Sequence, residues 1–441
     1  MLLEFSVKNY KIFKDKATIS LIASNSDSTT REEENIVSIE KFGLRILKSA
    51  VIFGANASGK TKLMEAFLFW RTFIINSSKE SQKGESINIE PFRLNVETIK
   101  EPTEFETIFL HKEILYRYGF ELNNNKIIAE WLYYKPNTKE IELFYRDNNK
   151  VKTHGRIFVK GKKIVEEGLL RDNALLLSVA AQFNENKAIE VLEWVDGLKV
   201  VSGFNYDDYK GFTVNKTNSP QYKKKILELL KSADFGIENI SLKKLDINKL
   251  PKNTPKEVRE FLIKQIKEEN KEIFSDILTA HKIYDINKIA VDVINFSLEI
   301  EESLGTQKFF SLVGPIIDVL EKGYTLVVDE LDSQLHPNLV CKIISMFNST
   351  EFNRKGAQLI FNTHDTNLLA SKLFRRDQIW FTEKNRYGEA KLYSLADFKS
   401  SEVRKDEAYE PNYIRGKYGG VPYLNFSENL DSILADGGDD E

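Results

Sequence analysis

A glycine-rich segment near the amino terminus, GANASGKT at residues 54–61, constrains the fold of this chain more than any other feature. The apolar run at residues 46–53 predicts a buried strand before it, and the apolar spacing at residues 62–73 predicts a helix after it. A strand, a glycine loop and a helix in this order bind phosphate, because glycines let backbone amides approach phosphate oxygens at the positive end of the helix. The segment therefore predicts a nucleotide-binding α/β sheet.

The residues of this loop have distinct predicted roles. We expect the Lys60 ammonium to reach the β- and γ-phosphates and to act in catalysis, and we expect the Thr61 hydroxyl to bind Mg²⁺. The nucleotide-binding residues predicted from the segment are Gly54, Asn56, Ala57, Ser58, Gly59, Lys60 and Thr61.

Two acidic residues follow a second apolar run. Residues 324–328 read YTLVV, which predicts a buried strand, and Asp329 and Glu330 come directly after it. Open α/β sheets place their ligands at the carboxyl ends of their strands. We therefore expect Asp329 to bind Mg²⁺ and Glu330 to polarise the water that attacks the nucleotide.

Two further segments indicate which kind of nucleotide enzyme this is. A predicted strand at 358–362 is followed by His364, whose imidazole we expect to contact a γ-phosphate. Upstream, ESLGTQ at residues 302–307 opens an apolar helix, and Ser303 and Gly305 at its start form an anion site. Because this site lies far along the chain from the glycine loop, we expect it to serve the nucleotide of a second copy.

The motif order GANASGKT, ESLGTQ, TLVVDELDSQLHP and NTHD resembles ABC-type ATPases of the RecF, SMC and OLD kind, with ESLGTQ where others have LSGGQ. The segments EPFRL, RRDQIWF and RGKYGGVPYL resemble more closely the stand-alone bacterial ATPases of abortive infection and phage defence, such as RloA. This resemblance covers nearly the whole chain and is weakest at residues 185–290. It implies an α/β fold: an ABC-ATPase head with a P-loop mixed sheet, an antiparallel β-lobe and a helical insertion.

The resemblance also implies ligands and partners. It implies ATP and Mg²⁺ as cofactors, a homodimer with two composite ATP sites, and a separate effector protein, a nuclease or a toxin. The family has a glutamine that senses Mg²⁺, and Gln182 in DNALLLSVAAQF is our candidate for it; Glu90 in EPFRL is the alternative. Assembly beyond a dimer is left open.

The resemblance and the composition divide the chain into four parts. Residues 1–184 are the first half of the head and include an antiparallel β-lobe at 104–146. Residues 185–290 are the helical insertion, which we interpret as a lid or a partner-docking arm with helices at 221–232 and 255–274. Residues 291–400 are the second half of the head, and residues 401–441 are an extension with an acidic tail.

Composition restricts the function further. The chain carries a net charge of −3, so it lacks the overall positive charge that is typical of nucleic-acid-binding proteins. Lysine clusters at 160–163 and 223–225 nevertheless leave nucleic-acid contact open. One cysteine, Cys341, excludes a disulfide or zinc framework. No apolar run reaches the length of a membrane span, so we expect a cytoplasmic protein without membrane contact. A RecF-like DNA-repair clamp is the main alternative function. A transporter subunit is disfavoured by the missing LSGGQ.

Overall fold

Two large β-sheets form the frame of the structure, a computed structural model that describes residues 1–25, 30–79, 82–202, 207–245, 250, 254–267, 274–399, 402–404 and 407–422. The strands are β1 (Leu2–Lys8), β2 (Ala17–Ser20), β3 (Ile36–Ile39), β4 (Leu44–Leu47), β5 (Ser49–Gly54), β6 (Thr103–His111), β7 (Ile114–Leu122), β8 (Ile127–Lys135), β9 (Ile141–Asp147), β10 (Lys150–Thr153), β11 (Leu198–Val201), β12 (Asn239–Lys244), β13 (Phe274–Tyr284), β14 (Ala290–Ser297), β15 (Thr325–Val328), β16 (Gln358–Asn362), β17 (Ile379–Lys384) and β18 (Ala390–Ser394). The helices are α1 (Glu32–Asn35), α2 (Lys60–Asn76), α3 (Val159–Glu166), α4 (Leu176–Gln182), α5 (Asn186–Gly197), α6 (Asp207–Thr217), α7 (Pro220–Ser232), α8 (Lys256–Lys267), α9 (Leu304–Lys322), α10 (Pro337–Asn348), α11 (Asn367–Ala370) and α12 (Tyr409–Ile414).

A six-stranded sheet carries the predicted nucleotide motifs. Its order is β11-β15-β16-β5-β17-β18, and all neighbours are parallel except β17 and β18. Every residue of β5, β15 and β16 is buried, as expected for parallel strands with both faces covered. Because parallel strands end at the same edge of the sheet, the segments that follow β5, β15 and β16 meet there.

A seven-stranded antiparallel sheet forms the β-lobe. Its order is β10-β9-β8-β7-β6-β1-β2, so the predicted antiparallel lobe is confirmed and is wider than the 104–146 segment. Helix α2 packs against it, with the rings of Phe5 and Phe67 stacked 3.8 Å apart and Trp70 fully buried beside them. Each such buried aromatic side chain stabilises the fold by about 1.5–3 kcal/mol. The helix that follows the glycine loop is thus held firmly in the core.

The insertion at residues 185–290 is not only helical. It contains α5 to α8, but β12, β13 and β14 also form a three-stranded antiparallel sheet that begins in the insertion and ends beyond it. The helix predicted at 255–274 is α8, which ends at Lys267, and residues 268–273 lie outside the described residues. Phe274 already begins β13, because residues 274–284 pair with strands on both sides.

Helix α9 is the longest helix of the second half of the head. It begins after Ser303, whose hydroxyl accepts a hydrogen bond from the Thr306 amide at 3.1 Å, and it ends at Gly323 in the left-handed conformation. Along the part of the chain that the structure describes, no helix is both long enough and apolar enough to cross a membrane.

Candidate active site

The glycine loop joins β5 to α2 in the geometry expected of a phosphate-binding loop. Gly54 has φ +156°, and a Cβ at this position would lie 2.5 Å from the Ser58 hydroxyl and from the Thr382 carbonyl oxygen. Ala57 adopts φ +59°, which directs the loop back toward the start of α2. The loop therefore has no space for a side chain at Gly54, and its backbone is free to face a ligand.

Lys60 is the first residue of α2 and is almost fully buried. Its ammonium donates to the carbonyl oxygens of Gly54 at 2.6 Å and Ala55 at 3.1 Å. Burial lowers the pKa of Lys60 to about 8, while three nearby carboxylates, led by that of Glu330, act in the opposite direction. The ammonium thus lies inside the loop, close to where phosphates would bind.

Asp329 and Glu330 follow β15 and are fixed by one amide side chain. Asn362, the last residue of β16, donates to the Asp329 carboxylate at 2.5 Å, and its side-chain oxygen accepts from the Glu330 amide at 2.5 Å. The Thr61 hydroxyl also hydrogen-bonds to Asp329. Burial raises the pKa of Asp329, while these two hydrogen bonds lower it. Burial also raises the pKa of Glu330, and the neighbouring Asp329 carboxylate adds to this effect.

His364 comes two residues after β16 and faces the same edge. Its Nε2 atom lies 3.8 Å from the Glu330 carboxylate, and its amide donates to Asp332 at 3.2 Å. Burial lowers the pKa of His364, and the Lys60 charge lowers it further. The nearby Asp332 and Asp329 carboxylates act in the opposite direction, and the net lowering favours the neutral imidazole, which can donate one hydrogen bond to a phosphate oxygen.

A cleft of about 400 Å³ brings most of these residues together. A larger cleft of about 650 Å³ between α11 and α12 contains none of them, so size alone does not identify the site. The smaller cleft is lined by Ile12, Ala55, Asn56, Ala57, Ser58, Gly59, Lys60, Thr61, Lys62, Glu330, His364 and Lys384.

Two of the residues predicted to hold Mg²⁺, Thr61 and Asp329, suit an ion that is also bound by the phosphates of a nucleotide. Among the described residues, no group of three or more His, Cys, Asp or Glu side chains could hold a metal by itself. Thr61 and Asp329 nevertheless bring a hydroxyl and a carboxylate together. Mg²⁺ is commonly bound by one or two carboxylates together with substrate phosphates. The pair therefore suits an ion that arrives with a nucleotide.

Ser303 and Gly305 lie apart from this cleft. Gly305 lines a different cleft of about 450 Å³ with Gln334 and His336, and a Cβ on Gly305 would lie 2.7 Å from the Gln334 carbonyl oxygen. The start of α9 is also unusually apolar for a surface, since Ile300 is 84% exposed and Leu304 is 57% exposed. Neither Ser303 nor Gly305 lines the cleft that holds the glycine loop of the same chain.

Gln182 is not among the residues of the nucleotide cleft. It is the last residue of α4, whose first amides, Leu176 and Leu177, donate to the buried Glu130 carboxylate of the β-lobe. The alternative residue Glu90 is linked to the wall of the cleft, because its carbonyl oxygen accepts from the Lys11 amide at 2.9 Å and the residue after Lys11, Ile12, lines the cleft. A Mg²⁺ role for Gln182 stays a prediction, and no contact in the structure supports it.

Two residues beside the glycine loop escaped sequence reasoning. The Thr382 hydroxyl is 2.7 Å from that of Ser58, and Lys384 lines the cleft; both belong to β17, next to β5. Each lies more than 320 residues from the loop, so only sheet order reveals them. No signal in the sequence marks Asn362 either, because its strand also begins with a polar residue, Gln358.

Helix α12, which carries Tyr413, and the RGKYGG segment that follows it support the same strands. The Tyr413 ring packs on Phe53 and Phe381, at 5.9 Å and 5.3 Å between ring centroids, and its hydroxyl donates to the Gly420 carbonyl oxygen at 3.0 Å. Gly420 has φ +69°, a conformation that favours glycine. The segment therefore packs against the end of the strand that carries the glycine loop.

Replacing Asn362 by alanine should weaken the predicted metal and water positions together. The change removes one hydrogen bond to Asp329 and one from the Glu330 amide, and loss of such a supporting residue typically costs about 10–100-fold in metal affinity or activity. Titrating Mg²⁺ against ATP hydrolysis measures the effect. Asn353→Ala is the matched control, since Asn353 is equally buried and hydrogen-bonded but serves the 347–357 turn. An unchanged Mg²⁺ midpoint in Asn362→Ala would contradict the assignment.

Comparison with known proteins is consistent with a nucleotide site. The sequence pattern of a protein family described as “AAA domain, putative AbiEii toxin, Type IV TA system” matches residues 49–370. No curated protein matches the chain. Similar solved structures include the SMC head domain from Thermotoga maritima, at 11% identity over 89% of this chain and 98% of that chain, with a TM-score of 0.39. They also include the Smc head domain with a coiled coil and joint derived from Pyrococcus yayanosii, at 11% identity over 89% and 96%, with a TM-score of 0.30.

Proposed function

The chain belongs to this family of AAA domains, and from that premise we propose that it is an ATP-hydrolysing switch whose two ATP sites form between two copies. We propose further that the switch acts as a sensor in bacterial anti-phage defence by abortive infection. In this role it controls a separate effector, a nuclease or a toxin.

One observation carries the two-copy site: Ser303 and the glycine loop are not in the same cleft of one chain. A serine hydroxyl at the start of a helix is suited to an anion, and a second copy can present it to the γ-phosphate. The exposed apolar residues Ile300 and Leu304 flank this serine and would be covered in such a dimer. ATP then joins the two heads, and hydrolysis releases them.

The chain's own groups account for hydrolysis by positioning and charge. Backbone amides of the glycine loop bind phosphate oxygens, and the Lys60 ammonium balances their negative charge. Thr61 and Asp329 would hold Mg²⁺, which when bound neutralises charge on the β- and γ-phosphates. The Glu330 carboxylate orients a water molecule and accepts its proton, while His364 donates a hydrogen bond to the γ-phosphate.

Two observations support the defence role. The family description names a toxin and a toxin–antitoxin system beside the AAA domain, and this setting agrees with control of an effector. The structure also supplies a surface for a partner: the β13–β14 hairpin exposes apolar side chains at its tip, Ile286 most of all at 97%. The RGKYGG segment at the other end of the chain is less suited to an effector, because its Tyr418 ring is buried, so the hairpin is the better candidate. An exposed apolar patch of this kind marks interaction surfaces.

Charged substitutions at the hairpin tip should separate signalling from ATP hydrolysis. Ile286→Lys with Ile289→Lys should weaken effector binding roughly tenfold or more, as loss of an interface hot spot does, and should abolish protection in a phage plaque assay. The ATPase rate should not change, because both side chains are exposed and lie in the hairpin rather than in the nucleotide cleft. Val96→Lys is the matched control, since Val96 is also strongly exposed but lies outside the hairpin. Full protection by the double variant would rule out the hairpin as the docking surface.

The DNA-clamp alternative has less support from the structure. In the cluster at 223–225, Lys224 pairs with Glu228 at 3.9 Å and Lys225 pairs with Glu321, so much of its positive charge is already balanced. Strong stimulation of the ATPase by duplex DNA would favour the clamp over the sensor.

A further inference from the structure

Lys308 is a buried lysine outside the glycine loop and outside the Asp329–Glu330 pair, and the roles proposed above do not use it. It lies on α9, little more than one turn after Ser303, and its side chain is 1% exposed. Its ammonium donates to the carbonyl oxygen of Glu330 at 2.8 Å, and to the carbonyl oxygen and hydroxyl of Ser333 at 2.8 Å and 2.5 Å. All three ammonium protons therefore have acceptors, and all of them are in the 330–333 turn after β15.

Such an arrangement is costly unless it is well satisfied. Removing an ammonium from water costs several kcal/mol, and good geometry together with nearby opposite charge must offset this cost. The carboxylates of Asp332, Glu330 and Asp329 provide that charge. An apolar side chain would fill the same space without this cost. Packing alone therefore does not explain the lysine, whereas its hydrogen bonds to the 330–333 turn do.

What Lys308 holds is the backbone of Glu330. Glu330 has φ +50°, a left-handed conformation that is unfavourable for a non-glycine residue and persists only when its surroundings impose it. The Glu330 amide is fixed by Asn362, and the Glu330 carbonyl is fixed by Lys308. Both ends of this residue are thus tied to other elements, β16 on one side and α9 on the other.

We propose that Lys308 is a positioning residue for ATP hydrolysis, which holds Glu330 in place and ties it to the helix that carries Ser303. This inference rests on the proposed function. In a dimer, Ser303 would contact the nucleotide of the partner, whereas Glu330 acts on the nucleotide of its own chain. When α9 of one chain contacts the partner's nucleotide, Lys308 transmits this contact to Glu330, which acts on the nucleotide of its own chain. The two sites of a dimer are therefore coupled.

The test compares Lys308→Met and Lys308→Arg with a buried lysine elsewhere. Lys48→Met is the matched control, because Lys48 is also buried and donates to backbone carbonyls, those of Glu34 at 2.6 Å and Asn348 at 3.4 Å, away from the cleft. For the wild type and each variant, kcat, KM, the Hill coefficient for ATP and the melting temperature are measured on the full-length chain.

We expect Lys308→Met to lower kcat about 10²-fold, the loss that a displacement near 1 Å of a reacting group produces, with KM unchanged and the Hill coefficient reduced to one. Lys308→Arg, which keeps the charge and the donors, should recover part of kcat. Lys48→Met should lose thermal stability but keep kcat and the Hill coefficient.

Four outcomes overturn the inference. A folded Lys308→Met chain with wild-type kcat and cooperativity overturns the inference about Lys308 but leaves the proposed ATPase function standing. A loss of kcat in Lys48→Met equal to that in Lys308→Met shows a merely structural effect. A wild type that binds no ATP and hydrolyses none overturns the proposed function together with the inference. If Lys308→Met does not fold, Ser333→Ala decides the question. This change removes the hydroxyl that accepts from the Lys308 ammonium and should lower kcat with KM unchanged. A wild-type kcat in Ser333→Ala also overturns the inference.

Discussion

Replacing Glu330 by glutamine should leave ATP bound and almost unhydrolysed. The amide has nearly the shape of the carboxylate but cannot accept the proton of the attacking water, and loss of such a general base typically costs about 10²–10⁴-fold in rate. Lys60, Thr61 and the loop amides are untouched by the change, so the affinity for ATP should remain. Release of phosphate at saturating ATP gives the rate, and binding of a fluorescent ATP analogue gives the affinity.

The control for this variant is Glu228→Gln, which changes an exposed glutamate of α7 away from the cleft and should behave as the wild type. If Glu330→Gln hydrolyses ATP at the wild-type rate, another group must activate the water. Asp332, whose carboxylate accepts from the His364 amide, would be the next residue to examine.

Mixing two inactive variants should restore activity if the ATP sites form between copies. Lys60→Ala disables the glycine loop, and Ser303→Arg disables the site that would meet the partner's nucleotide. A dimer with one chain of each kind retains one intact site, built from the loop of the Ser303→Arg chain and the Ser303 of the other chain. Because chains pair at random, half of the dimers in an equal mixture carry one intact site of two, so the mixture should recover at most about one quarter of the wild-type rate, and coupling between the sites lowers this value.

The controls are each variant alone, which should be inactive at every concentration. Association of the mixed chains must be confirmed by sedimentation in the presence of ATP. Mixtures that associate but recover no ATPase activity would argue against a shared site, because chains whose sites each lie within one chain cannot complement one another.

Much of the fold could be predicted because its signals are local. The glycine loop lies between a buried strand and a helix, and those flanks are visible in the apolar spacing around residues 54–61. Asp329, Glu330 and His364 each follow an apolar run, and the parallel order of β15, β16 and β5 brings them to one edge. The mixed α/β fold and the antiparallel lobe were therefore accessible from the sequence.

The insertion was less predictable because a short apolar run suits a helix and a strand equally well. The spacing at 255–274 predicted one helix, yet β13 begins at Phe274, where pairing with β12 and β14 outweighs local preference. These partners lie on both sides along the chain, and no spacing within the segment reveals them.

The supporting residues of the site were missed for a related reason. Asn362 contacts Asp329 across 33 residues, Thr382 contacts Ser58 across 324, and Lys308 contacts Glu330 across 22. Each contact depends on how strands and helices are ordered in space. An isolated lysine or asparagine in the sequence carries no sign of such a contact.

The position of β5 in its sheet has a consequence for synthesis of the protein. The strand that carries the glycine loop is made early, but its neighbours are β16 and β17, which begin about 300 residues later. Chains emerge from the ribosome at roughly 5–20 residues per second, so the loop waits for tens of seconds without the strands that flank it. A nascent chain that stops before β17 has neither the Thr382 hydroxyl that meets Ser58 nor the Phe381 ring beside Phe53. We therefore expect a chain that stops before β17 to lack the nucleotide cleft in its final form, because Lys384 of β17 lines that cleft.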